Sequence, residues 1–207
     1  MIDDEDDWLA EMDPVELARA TGPLPARLYG LLMAAWSRQL PTGSVTGSPL
    51  DRYLDAAERV ADAAARLNAR CLRRYLAALR ERYPVARSDR DVTVAAFCEY
   101  GGHSAQLEQL VAAGLERRGL CTKLAALARD VTGNPLRPVR FDPMWRTPDA
   151  RSLARVAFER RDFGALPVLA DALEEAGCDE WELLAHLRGW TPHVRGCWAL
   201  ELALGRR

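Results

Sequence analysis

Cys178, His186, His193 and Cys197 stand at the spacing C-x7-H-x6-H-x3-C near the end of the chain. Two thiols and two imidazoles are the donors from which tetrahedral Cys2His2 zinc sites are built. If the segment from Thr191-Pro192 onward is helical, His193 and Cys197 lie one turn apart and share a face. No C-x2-C knuckle accompanies the set, and its first gap is long for a zinc finger. Each residue also has an ordinary role. Cys178 suits a small buried hydrophobe just past a helix stop, and His186 a last-turn residue favoured by the helix dipole. His193 could bond locally in a first turn, and Cys197 could pack closely beside Gly196.

A second pattern is basic. On a helical wheel Arg66, Arg70, Arg73, Arg74 and Arg80 share one side, opposite Leu72, Tyr75, Leu76 and Leu79. Such a stripe could follow a phosphate backbone. It lacks the interleaved aromatics that stack on bases, which favours a solvated or carboxylate-paired face over that reading. Lys123 is the only lysine, so arginine supplies the other 27 of 28 basic residues. Arginine favours bidentate contacts to carboxylate and phosphate, but GC-rich codon usage yields the same bias. A third group, Trp145, Arg146, Trp181, Trp190, His193 and Arg195, includes residue types enriched in binding hot spots.

Enzymatic signatures are absent: there is no nucleophile elbow, Walker A loop, dinucleotide fingerprint or H-E-x-x-H. Cys98 and His103 lie five residues apart, which does not establish the contact at about 3 Å that a nucleophile and its base require. Asp171, Glu174 and Glu175, and likewise Asp179, Glu180 and Glu182, occupy exposed or capping helix positions. Surface charge accounts for them. The sequence leans away from an enzyme.

Helices must position all of these groups. Asp13-Pro14-Val15-Glu16 is a helix start with proline at the first position, and Gly22-Pro23 is the stop. Leu28, Leu32, Trp36 and Leu40 recur every four residues after Pro25. Pro41 to Pro49 is a loop rich in turn formers. A long pattern from Ser48-Pro49 carries Leu54, Ala57 and Ala61 and runs on to Tyr83-Pro84, and shorter helices reach Gly119. Another, Leu120 to Val131, presents Leu124, Leu127 and Val131. Residues 132–147 hold three prolines, too many for a helix. They form an extended connector whose Phe141 and Trp145 plug into the core. Thr147-Pro148-Asp149 starts a helix with Leu153, Val156 and Ala157 inward. Leu166 to Ala176 follows, with Gly177 as a left-handed stop. Asp179 leads a capping-box analogue for the next helix. Thr191-Pro192 introduces the last, with Val194, Trp198 and Leu202, ended by Gly205.

FDPMWRTPD, LPVLADALEEAGC, LLAHLRG and PHVRGCWALELALG, in that order, resemble the C-terminal signature of a large paralogous family of planctomycete bacterial proteins. WLAEMDP, LDAAERVADA and ARDVTGNPLRPVRFDP are similar to that family's earlier blocks. The chain departs from the pattern at Gly189-Trp190-Thr191-Pro192, where relatives have a turn of glycine and proline alone. Around Leu32 to Ser37 it lacks the cysteine pair that many relatives carry, so the resemblance does not carry N-terminal thiol chemistry over to this chain. The resemblance implies no activity and no ligand.

At 207 residues, 49% hydrophobic and 28% charged, the chain has the composition of an ordinary globular protein. It is long enough to bury a sizeable core without a metal or disulfide. A net charge of −2 supplies no global field toward nucleic acid or acidic lipid. Five cysteines without a scaffold-like rhythm, and an acidic start (MIDDEDDW) with no secretory character, point to reduced thiols in the cytoplasm. No apolar run approaches the roughly 18–20 residues that span a bilayer. The expectation is an all-α, irregular multi-helix bundle: an N-terminal lobe 1–131, a connector 132–147 and a C-terminal module 148–207. Its expected role is a protein-interaction or scaffold module for an unidentified protein partner, without a cofactor. The alternative is a zinc-containing or nucleic-acid-contacting accessory protein.

Overall fold

A computed structural model describes residues 2–22, 24–39, 49–63 and 118–207. Among these residues every regular element is a helix, with no strand. None of the described helices is long and apolar enough to cross a membrane. The chain divides into two compact units, Met1–Ala128 and Arg129–Arg207, so residues 132–147 belong to the second. The arginine stripe (Arg66, Arg70, Arg73, Arg74 and Arg80), Cys98, His103 and the Pro41 loop lie outside the described residues.

In the first unit, α1 (Glu5–Ala10) is capped by Asp4, whose side chain accepts from the Asp7 N–H at 2.8 Å, and it buries Trp8. Helix α2 (Pro14–Ala20) begins at the expected proline. Helices α3 (Ala26–Gln39) and α4 (Pro49–Ala63) pack side by side. Leu28, Leu32 and Trp36 of the four-residue repeat are buried, as are Leu54, Ala57 and Ala61. Gly30 lets the two helices approach, since a Cβ there would stand 3.1 Å from the Cβ of Ala61. Their polar edges are matched. Arg38 pairs with Asp51, Asp55 and Glu58, which succeed one another by turns of α4, and Arg27 pairs with Asp62 at 2.8 Å. The indole N–H of Trp36 donates to the Leu124 carbonyl at 3.0 Å. That carbonyl belongs to α5 (Arg118–Thr132), which starts ahead of Gly119 rather than after it.

The second unit begins in the last turn of α5. It continues through an extended segment with a single 3-10 turn at Pro143–Trp145, then α6 (Pro148–Arg160), a 3-10 turn, α7 (Leu166–Glu175), α8 (Trp181–Arg188) and α9 (Trp198–Leu204). Helix α7 packs between α6 and α8, and α9 packs on both α8 and α6, closing a ring of four around one core. The expected signals act at several ends. The Thr147 hydroxyl accepts from the Ala150 N–H at 3.2 Å, and Gly177 and Gly205 take positive φ past α7 and α9.

Several local expectations are corrected. Helix α6 buries Ala157 as expected and packs half-buried Leu153 against the core, but it is Ala150, Ala154 and Phe158 that are buried beside Ala157, while Val156 is only half-buried. Helix α8 takes Glu180 rather than Asp179 as its cap position, and the Glu180 side chain makes no capping bond. The last helix starts at Trp198, not near Thr191-Pro192, because Gly196 at φ 93° turns the chain just before it. Phe141 and Trp145 pack edge-to-face at 5.4 Å and lean half-buried on the core rather than plugging into it.

Candidate functional site

Asp130, His186, His193 and Cys197 converge at the centre of the second unit. Each offers a donor atom, and the four atoms lie within 4.8 Å of one another. Asp130 comes from the last turn of α5 and His186 from the last turn of α8. His193 and Cys197 come from the segment between α8 and α9, whose turn at Gly196 does what one helical turn was expected to do. Cys178 is not part of the group. Its N–H donates to the Leu173 carbonyl beyond the Gly177 stop, and its side chain is buried in the hydrophobic core.

The Asp130 carboxylate joins the group. Its Oδ1 lies 3.1 Å from His186 Nε2 and 2.9 Å from His193 Nδ1, and its Oδ2 accepts the Val194 N–H at 2.9 Å. Cys197 Sγ is 3.3 Å from His186 Nε2 and 3.7 Å from His193 Nδ1. Asp130 and Cys197 are buried and the His193 side chain nearly so; His186 keeps a narrow opening to solvent. The His186 ring meets those of His193 and Trp198, each at 4.9 Å between centroids. Among the described residues the buried His193 Nε2 has no hydrogen-bond partner, so this ring acts through Nδ1.

The electrostatics follow from burial. Desolvation alone would raise the Asp130 pKa, but hydrogen bonds and charge from His186 and His193 outweigh it and hold the carboxyl below its ordinary range. Burial, and next the charge of Asp130, push the Cys197 thiol well above its usual value, against the pull of the Leu200 and Ala199 backbone N–H groups. An ionised carboxylate with two imidazoles can act as a hydrogen-bonded clamp or, with the thiol, as a ligand set for a cation.

The other sequence candidates are distributed around the same unit. Arg146 donates through Nε to the Leu202 carbonyl at 3.1 Å and lies 4.6 Å over the Phe141 ring, beside the half-buried Trp145. Arg195 lies 4.3 Å over Phe158, and His193 is in the polar centre. Trp181 is 59% exposed with Arg137 at 5.0 Å over its ring, and Trp190 is wholly exposed. Of the acidic residues assigned to surface charge, Asp171 and Glu174 both receive Arg188 at 2.6 Å.

Sequence reasoning misses Asp130 because it lies 56 and 63 positions from the two histidines. Its one signal is a charged residue bordering the apolar side of α5, among Leu127, Ala128 and Val131.

The fold and site together define an all-α protein whose second unit is closed around a buried carboxylate–imidazole–thiol centre. Comparison with family models, curated proteins and solved structures finds no match for this chain.

Proposed function

We propose that this chain is a helical protein-interaction or scaffold module, with Trp190 of the second unit at its contact surface. The observation that carries the reading is the exposure of the Trp190 side chain, on a turn between two helices that are themselves anchored in the core. Tryptophan is usually mostly buried, and a large exposed aromatic ring on a firm support is the common anchor of a protein contact. The support is firm because the chain on either side of Trp190 returns to the polar centre, at His186 before it and at His193 and Val194 after it. Trp181 and Arg137 add a second, partly exposed aromatic–cation pair on the same unit.

The test is affinity capture from the source cell extract with the full chain, comparing wild type, Trp190→Ala and Trp190→Phe. A partner retained by wild type and Trp190→Phe but lost with Trp190→Ala supports the reading. Identical capture by all three would remove Trp190 from the contact and end the proposal.

A further inference from the structure

The geometry points to Asp130, His186, His193 and Cys197 as a four-ligand site for a zinc-class divalent cation. Zinc bonds run about 2.0–2.2 Å to nitrogen and oxygen and about 2.3 Å to sulfur. A tetrahedron of those bonds has edges of roughly 3.3 Å between nitrogen or oxygen ligands and roughly 3.6 Å from nitrogen to sulfur. The separations here are 3.1 and 2.9 Å between Asp130 Oδ1 and the imidazole nitrogens, and 3.3 and 3.7 Å from those nitrogens to Cys197 Sγ. Four of the six edges are thus near those of the tetrahedron and all six lie within 4.8 Å, so an ion could draw the set together by closing its longest separations by roughly an ångström.

Charge and hardness agree with distance. One carboxylate, one thiolate and two neutral imidazoles around a divalent cation sum to zero, so the buried site would need no further counter-ion. A mixed nitrogen, oxygen and sulfur set is suited to zinc and is too soft for magnesium or calcium, which take oxygen ligands. The surroundings are those of a ligand shell. Asp130 Oδ2 is fixed by the Val194 N–H while Oδ1 faces the group, and the His186 ring is set by Trp198. His186 is also the most accessible of the four, which gives an ion its way in. All four positions are filled by protein atoms, so the site is of the closed, structural kind. It fastens α5, α8 and the segment leading into α9 at one point, and it does so whether or not Trp190 contacts a partner.

The test uses untagged full-length protein, stripped of metal and titrated with cobalt and with zinc, alongside Cys197→Ser, His193→Gln and Cys178→Ala. The expected result is about one zinc per chain. Cobalt should give the intense visible absorption of a tetrahedral ion together with a thiolate charge-transfer band. Cys178→Ala should keep both, and Cys197→Ser should lose the thiolate band and bind zinc at least about tenfold more weakly. Wild-type protein that takes up neither metal would overturn the site and leave a hydrogen-bonded polar centre only. Loss of the thiolate band in Cys178→Ala but not in Cys197→Ser would overturn the ligand set. The cobalt spectrum is read on wild-type protein, so a His193→Gln chain that fails to fold does not alter that result.

Discussion

His193 Nδ1 lies 2.9 Å from Asp130 Oδ1, joining residues 63 positions apart at the centre of the second unit. Around this contact gather His186, Cys197 and the Val194 N–H, so one carboxylate on α5 fixes where α8 ends and how the chain enters α9. Asp130 is therefore the residue whose loss the unit should feel most.

Replacing Asp130 with alanine strands two imidazoles and a backbone N–H in a buried place. Leaving a buried donor without its acceptor costs about 1–3 kcal/mol. Urea denaturation of metal-free protein should show a loss of that order for Asp130→Ala. A change below about 0.5 kcal/mol, the level of an indifferent surface substitution, would show that the carboxylate is not what holds these elements.

Gly133 follows α5 at φ 69°, and a Cβ there would meet the Trp198 ring at 3.2 Å. Gly133→Ala thus combines a left-handed backbone with a push on the ring that sets His186. It should cost on the order of 1–3 kcal/mol. Gly177→Ala, at φ 90° but with nothing within 4 Å of its Cβ, should cost less. Equal losses would mean that backbone strain, and not the Trp198 contact, is the whole effect.

Burial raises the Cys178 thiol pKa, and the neighbouring carboxylates of Asp179, Glu180 and Glu174 add to it against a backbone hydrogen bond from Glu180. The folded thiol then keeps its proton to higher pH than the unfolded one. The stability it contributes is complete below the ordinary thiol range, near about 8.5, and is lost as pH rises through the folded value. Stability should therefore fall on the alkaline side, less steeply in Cys178→Ala. In native protein at mildly alkaline pH an alkylating reagent should modify half-buried Cys121 well before Cys178. Peptide mapping that finds Cys178 labelled first would contradict this.

Trp190→Ala removes a ring that makes no core contact, so unfolding free energy should stay within about 0.5 kcal/mol of wild type. A larger loss, measured by denaturation, would show that the ring is used by the fold and is not available to a partner.

Much of the second unit is legible in the sequence because its signals are local. Thr147 ahead of Pro148, Gly177 after α7 and Gly205 after α9 each act on the few residues beside them. Three members of the polar centre are legible too, since His186, His193 and Cys197 fall close together in the chain. What local reasoning misses is long-range. It offers Cys178 as the fourth member because that residue is near in sequence, yet the turn at Gly177 sends its side chain into the core with Leu173. Asp130 takes the place from a distant helix, where a lone carboxylate reads as ordinary surface charge. The start of α9 is misplaced for a related reason: Asp130 accepts the Val194 N–H and Gly196 turns the chain, which suppresses the helix that Thr191-Pro192 would otherwise begin.

X-ray absorption at the metal edge of zinc-loaded, untagged full-length protein tests the polar centre most directly. The geometry predicts one sulfur at about 2.3 Å and three nitrogen or oxygen neighbours at about 2.0–2.2 Å. Two sulfurs, which would bring Cys178 back into the set, or no sulfur at all, would contradict the centre described above.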